Sequence, residues 1–540
     1  MSPAAQAKYV IFLIFLLVVQ AVLLFWNGML MITLHEGDAM HMVQILLRME
    51  QGQIPHKDFM TPIGILAFAP ILAFIGMGVG KAYLAGNLLM AALMIPALWW
   101  LAVSRLSAGL AYAFGAGVVI LMSAMVHGDT LQVSSVSMYY NRWAWGIAFV
   151  LVLAAVVPPK TERGQVLDGL VLGLGISALA LLKATYFVTL LPPLALAVAL
   201  GGRWKSFLVA LGTGATVVVA LALALGVDFW PAYVGDLLQV RGAGVRSYPS
   251  QPLAYLLIGP KFLLANGVVL AAVIFLRQAG RQREGLVLLL LVPGFIYITY
   301  QNWGNDPQWL FLLGILLLAL RPERAVIGAM GWNMRNALGV LAALALAMIA
   351  PSAFNIAAST ARYAQLEPSE FAIVLPDPRH ANLVFRTDLL YAAERRQYVT
   401  IPDEKMAALG EKFADRRSYA LYGEALEYCK LHRGLAGFLQ FFARDLERNL
   451  PETAGKSVFV ADLLSNLWLF GPTVPVPGGA PWYYGGDAGL GRADYLLVPF
   501  CPSTPEVWGM VLDRLAEEDA PQFTEIRRTD TYILLRRVSG

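Results

Sequence analysis

The sequence predicts a polytopic α-helical membrane protein with a C-terminal extracytoplasmic α/β domain, and three observations predict it. The chain is 58% hydrophobic and only 14% charged, with a mean hydropathy of +0.62, far more apolar than a soluble globular protein. Twelve apolar runs of spanning or near-spanning length succeed one another between about residue 9 and residue 355. Beyond them the composition turns to mixed polar and apolar, which divides the chain into a membrane part, 1–355, and a soluble part, 356–540. A net charge of +4 over 540 residues, spread among loops and the C-terminal third, gives no support to a nucleic-acid partner.

The first run, from Tyr9 to about Leu34, is too long for the apolar region of a signal peptide and is followed by no small-residue cleavage site. A polar loop, 35–61, comes next. From Asp38 its polar residues Asp38, His41, Gln44 and Arg48 recur at helical spacing, with Met42, Ile45, Leu46 and Met49 opposite, so an amphipathic helix lying at the membrane surface is expected. Gly52 and Pro55 stop it, and His56, Lys57 and Asp58 follow before the chain re-enters lipid at Pro62. A carboxylate at one end of a surface helix and a basic cluster at the other make a cradle for a lipid-borne phosphate.

The remaining runs lie near 61–79, 82–103, 108–126, 142–157, 165–181, 184–200, 206–226, 259–276, 285–300, 309–320 and 337–355. Basic loops around Lys160, Arg203, Arg281 and Arg321 mark the cytoplasmic side, which sends the turns 127–141, 182–184, 227–258 and 301–308, and the tail, to the other. Twelve full crossings would return the tail to the cytoplasm, so eleven is the alternative count, with one early segment between 61 and 126 re-entrant or broken, or two short runs forming one crossing.

In the soluble part, strand patterns occupy Phe371–Leu375, Ser457–Ala461, Tyr495–Pro499 and Tyr532–Arg537, and helical patterns Tyr419–Leu450 and Pro505–Glu518. The Gly-, Pro- and aromatic-rich stretch 471–491 reads as a long loop able to cover a site at the membrane face. The two cysteines, Cys429 and Cys501, leave a single disulfide open in an extracytoplasmic setting, and their sequence context holds no zinc motif.

Ionisable residues at membrane ends are costly unless used. On the expected outer side these include Glu36, Asp38, His56, Lys57 and Asp58; Asp129, with Tyr140, Asn141 and Arg142; Lys183; Arg241 and Arg246; and the polar Gln301 and Asn302. Glu36 or Asp38 suits a general base, and Lys183, in a turn of a few residues between apolar helices, suits a phosphate. Arg142 is balanced between a functional cation and a snorkelling helix anchor. The acids are too dispersed to define a metal site, which leaves a divalent metal open. No P-loop, GxSxG, HExxH or dinucleotide fingerprint points to other chemistry.

With these residues in place, the chain resembles integral-membrane glycosyltransferases of the GT-C fold, in particular the group related to protein O-mannosyltransferases and lipid A aminoarabinose transferases. The resemblance rests on a long first helix, Asp38, the amphipathic helix ending in GQIPHKDFMTPIGIL, YNRWAW at 140–145, LLKATYF, QNWGN and a soluble domain after the last helix, and covers roughly residues 9–350. It implies a bacterial inner-membrane enzyme with a periplasmic domain, moving a sugar with inversion from a polyprenyl-phosphate carrier to a glycan, lipid or protein acceptor. Asp38 matches the family's first-loop acid. Lys57, Lys183 and Arg241 or Arg246 would neutralise the leaving phosphate, and His56, where the family carries an aromatic residue, would touch phosphate or sugar. The family's Asp-Glu pair is Asp38-Ala39 here, with Glu36 upstream, so the choice of base stays open. A transporter or flippase for lipid-linked saccharides, a polymerase or ligase, and a receptor or assembly factor are the alternatives.

Overall fold

The computed structural model describes residues 1–161, 163–242, 252–302, 305–396, 419–479 and 487–538. Eight of its helices are long and apolar enough to cross a membrane, and three shorter apolar ones, Ala108–Ser123, Ala184–Leu200 and Trp309–Leu320, pack among them. That makes eleven, and the missing twelfth is the expected run at 61–79. It is broken into Ile65–Ala67, Ala69–Leu72 and Ile75–Met77, while the next helix pair, Val79–Leu93 and Ile95–Ser104, forms one long apolar unit. Pro62, Gly64, Pro70, Gly76 and Gly78 deny this stretch a continuous helix. Gly64 is required by contact as well: a Cβ there would lie 2.0 Å from the carbonyl oxygen of Leu181. The broken segment thus wedges against the end of the helix Gln165–Leu182, beside Lys183.

One end of the bundle is closed by the basic loops. Arg105 donates to the carbonyls of Ala154 and Val157 and pairs with Asp168 at 2.6 Å, and Arg203 donates to Ala154 and Ala155. The last carbonyls of the helix Tyr139–Val156, which have no intrahelical partner, are capped by guanidinium groups there. Tyr139 starts that helix at the opposite face, where the C-terminal domain sits.

Two sheets organise the C-terminal domain. The four-stranded sheet has the order Phe523–Arg528, Tyr532–Arg537, Tyr495–Pro499, Val458–Val460, with the last pair parallel and the others antiparallel. Its core includes Phe459, Leu496, Val498, Trp508 and Ile533; Trp508 belongs to the helix Pro505–Leu515, whose Val507, Trp508, Val511, Leu512 and Leu515 are buried at helical spacing. The three-stranded sheet joins the two parts of the chain: Leu30–Ile32, just after the first helix, pairs in parallel with Leu383–Arg386, which pairs antiparallel with Phe371–Ile373. Asn382 locks the seam, its carbonyl accepting from Leu30 N and its side chain bonding Gly80 N and the Met77 carbonyl.

Three further expectations are corrected. The helix Glu36–Glu50 ends where Gly52 and Pro55 require, yet it does not lie at a surface: His41, Gln44 and Arg48 on its polar side are all buried. Arg48 reaches the carbonyl of Val476, so the C-terminal domain covers the face that the polar pattern assigns to water. The helical pattern over Tyr419–Leu450 is a helix only at Leu435–Asn449; before it run the short strands Ala420–Leu421, Glu424–Ala425 and Lys430–Arg433. Cys429 and Cys501 are bonded, which ties the last of these strands to the end of Tyr495–Pro499. The strands Leu30–Ile32, Leu383–Arg386, Glu394–Arg396 and Phe523–Arg528 are additional to those expected. Residues 480–486 of the 471–491 loop lie outside the described residues.

Candidate active site

Two helices begin side by side at the domain face. His35 and Met138 each adopt a left-handed conformation, φ +62° and +61°, and each turns the chain into a helix, Glu36–Glu50 and Tyr139–Val156. Between these helix starts, Ser137 Oγ donates to Asp38 Oδ2 at 2.5 Å. Ser135 Oγ lies 3.0 Å from His35 Nδ1 and accepts from Ser137 N. The serine loop is itself fixed, with Ser134 bonding Thr33 and Met31, and Ser135 N donating to the Met125 carbonyl.

The two neighbouring acids, Glu36 and Asp38, have different fates. Glu36 is buried and its carboxylate accepts from three consecutive backbone amides, Gly434, Leu435 and Ala436, at 2.7 to 3.0 Å. These open the helix Leu435–Asn449, so Glu36 caps it from 398 residues away. Burial raises its carboxyl above the ordinary range, against the pull of the three amides and Arg433. Asp38 stays half-buried and lines a cleft of about 320 Å³ together with His35, Lys430, His432, Arg433 and Thr504.

The His35 and His127 rings stand 4.9 Å apart. Burial pushes both imidazoles down, His127 to about 4 with His35 as the next cause, so the pair is neutral at neutral pH.

A polar network runs onward from Asp38. Arg142 donates to the carbonyls of Ser137 and Val126, with Asn141 beside it against Met138. Tyr186 donates to the Asn141 carbonyl, Asn302 Nδ2 donates to the Tyr186 hydroxyl at 2.8 Å, and Lys183 Nζ donates to Asn302 Oδ1 at 2.7 Å. Lys183 also reaches the Gln301 carbonyl and lies 5.7 Å from the centre of the Tyr140 ring. Asp38, Tyr140, Asn141, Arg142, Lys183, Gln301 and Asn302 thus belong to one contact network.

The other expected residues lie elsewhere. His56 Nδ1 is 2.8 Å from Asp236 and its ring packs on Phe229 and Tyr233; Lys57 bonds the Leu225 carbonyl and pairs with Asp228 at 3.0 Å. Both fasten the helix Phe229–Gly242. Asp58 accepts from Ile54 N and closes its own turn; Asp129 accepts from Leu131 N in the same way but stays beside the histidine pair of the site, 3.8 Å from His127 Nδ1. Arg241 is exposed at the end of Phe229–Gly242, and Arg246 lies outside the described residues. Among the described residues no group of three or more His, Cys, Asp or Glu is placed to hold a metal ion.

Two apolar grooves lie along the helix that follows Lys183. One, of about 670 Å³, lined by Leu181, Ala184, Phe187, Trp230 and Tyr233, adjoins Lys183; the other, of about 850 Å³, lies farther along the helix Ala184–Leu200, lined by Pro192, Pro193, Pro293 and Tyr297. The Tyr297 hydroxyl bonds Gln301, whose carbonyl holds Lys183.

His35, Ser135, Ser137 and Tyr186 join the site without having been singled out by sequence. The signal available for them was the polar run SSVS directly before YYNRW, and the histidine directly before the acids. No family model, curated protein or solved structure matches the chain.

Proposed function

We propose that the protein is a membrane glycosyltransferase that moves a sugar, with inversion, from a polyprenyl-phosphate carrier to an acceptor at the face bearing the C-terminal domain, in the inner membrane of a bacterium. The observation that carries the reading is the separation of the two acids: Glu36 is consumed by a helix start, while Asp38 lines an open cleft with one oxygen held by Ser137. Asp38 takes the proton of the acceptor hydroxyl. The hydroxyl oxygen then bonds to the anomeric carbon from the side opposite the phosphate. The carbon–oxygen bond to the phosphate breaks, and the electron pair leaves with the lipid phosphate.

Lys183 supplies positive charge for that leaving group, and its place beside the apolar groove lined by Leu181, Ala184 and Phe187 suits a ligand with an anionic head and a long hydrocarbon tail. The first-loop acid and soluble domain fit the GT-C resemblance. The test is sugar transfer from a panel of synthetic polyprenyl-phosphate sugars in proteoliposomes. Wild-type transfer that disappears in Asp38→Asn, with the fold and donor binding retained, is the expected result. No turnover with any donor, and full cellular function of Asp38→Asn, would remove the reading.

A further inference from the structure

The cleft over Asp38 has a roof whose chemistry differs from its floor. The floor is the start of the first-loop helix, with Leu34, His35, Gly37 and Asp38. The roof is the strand Lys430–Arg433. All four of its residues line the cleft, Leu431 as the buried apolar one, and the pairing with Glu394–Arg396 is irregular at His432, which has no partner between Leu431 and Arg433. Neither the Lys430 nor the His432 side chain makes a hydrogen bond or ion pair among the described residues. Arg433, the third basic residue at this edge, is 2.8 Å from Asp388.

This strand is held firmly. Cys429 is bonded to Cys501, Cys429 N donates to the Phe500 carbonyl and Leu431 N to the Pro502 carbonyl, both at 2.9 Å. On its other side the strand pairs with Glu394–Arg396. The cleft wall beyond it, Ser503–Thr504, is fixed by the Asp462 carboxylate, which accepts from both backbone amides and the Ser503 hydroxyl. Asp462 and Glu36 are thereby committed to the protein itself. Asp38 remains as the carboxylate of the floor, opposite a cationic roof that has been placed before any ligand arrives.

We propose that this cleft is the acceptor site and that it selects an acceptor carrying an anionic group, a phosphate or a carboxylate, close to the hydroxyl that receives the sugar. The inference rests on the transferase reading for the word acceptor, and on the cleft alone for the anion. Lys430 and His432 bind the anion, which leaves the hydroxyl over Asp38. A volume of about 320 Å³ stands at the lower end of the range for small-ligand sites, ~300–1,000 Å³, and suits one charged sugar residue or phosphate ester, with any longer chain left outside.

The experiment uses the full-length protein in nanodiscs of zwitterionic lipid and follows the rate at which Lys430 is acylated, read by mass spectrometry, with inorganic phosphate, glucuronate or glucose present at millimolar concentration. One or both anions are expected to slow Lys430 labelling several-fold, with glucose inert and labelling of the exposed, distant Lys205 unchanged. The stronger of the two probes identifies the anion. Combined Lys430→Gln and His432→Gln substitutions are expected to weaken anion binding, measured by calorimetric titration, about tenfold or more.

Labelling indifferent to both anions, equal protection by glucose, or undiminished binding in the doubly substituted protein would overturn the proposal. The donor panel separates this outcome from the fate of the transferase reading. Anion protection without any sugar transfer leaves the anion site standing and removes the transferase. Sugar transfer to neutral acceptors, with no anion protection, does the reverse.

Discussion

The polar loop 35–61 carries charged residues at both ends, before Pro62 and at the start of the helix Glu36–Glu50, and the structure treats the two ends in opposite ways. At the end near Pro62, His56 and Lys57 are bound to Asp236, Asp228 and the Leu225 carbonyl, and serve to hold the helix Phe229–Gly242 in place. At the start of the helix, Glu36 is likewise spent on the C-terminal domain, but Asp38 keeps one oxygen bonded to Ser137 and faces a cleft. The difference teaches that a charged residue in a loop is available for chemistry only after the claims of neighbouring elements have been met. Here those claims come from residues about 180 to 400 positions away, following the sequence separations of the His56–Asp236 and Glu36–Ala436 contacts.

Substitutions at the two ends test that contrast, and the largest effect belongs to Asp38. Asp38→Asn is expected to lower sugar transfer by about 10²–10⁴-fold, the span of a general base, at an unchanged thermal midpoint. Retained activity would put the base elsewhere and erase the distinction between the two acids. Glu36→Gln is expected to do the converse. Gln keeps one acceptor oxygen where the carboxylate offers two, so a buried amide of the helix start is left unpaired, which should destabilise the protein by about 2 kcal/mol and make the C-terminal domain more sensitive to limited proteolysis, with turnover per folded molecule nearly preserved.

The start of the helix should also carry an acid-sensitive element. His127, with an ordinary value of 6.5, is held neutral down to about 4 in the fold, so the unfolded chain binds more protons between those limits. The stability this gives is complete above pH 6.5 and is lost as pH falls toward 4, with a slope of at most about 1.4 kcal/mol per pH unit for the group. His127→Gln should flatten a plot of thermal midpoint against pH over that interval, and an unaltered slope would assign the dependence to other groups. The smallest effect is expected at the other end. Lys57→Gln removes a pair whose acid, Asp228, is largely exposed, and should leave the thermal midpoint almost unmoved with transfer changed less than about threefold. A hundredfold fall in transfer would mean that Lys57 meets the donor phosphate after all, and the contrast between the ends would fail.

The apolar runs were legible because length and hydropathy are local, and so were Tyr495–Pro499 and Tyr532–Arg537, whose composition is strand-like throughout. Even the break near 61–79 left a trace in the mismatch between crossing count and basic loops, since Pro and Gly act on the backbone where they stand. Other features depended on distant partners. Leu30–Ile32 reads as the tail of an apolar run until Leu383–Phe385 is placed beside it, and the polar stripe His41, Gln44, Arg48 reads as water-facing until the C-terminal domain covers it. The roof residues Lys430 and His432 were hidden because Tyr419–Leu450 has enough helical periodicity to mask a short strand stapled by a disulfide. Asp38 and Glu36 stand out together in the sequence, whereas the difference between them does not, because that difference is a matter of three amides 398 to 400 residues downstream.

The parallel pairing of Leu30–Ile32 with Leu383–Phe385 also sets a clock on how the molecule is made. About 350 residues must leave the ribosome between the two strands, which at ~5–20 residues per second takes roughly 20 to 70 s. Throughout that interval the nascent chain presents an unpaired strand edge and a Glu36 whose amide partners have not been synthesised. The loop that holds Asp38 is among the first segments to be made and among the last to be finished, so a nascent chain halted before residue 383 has the floor of the cleft without its roof.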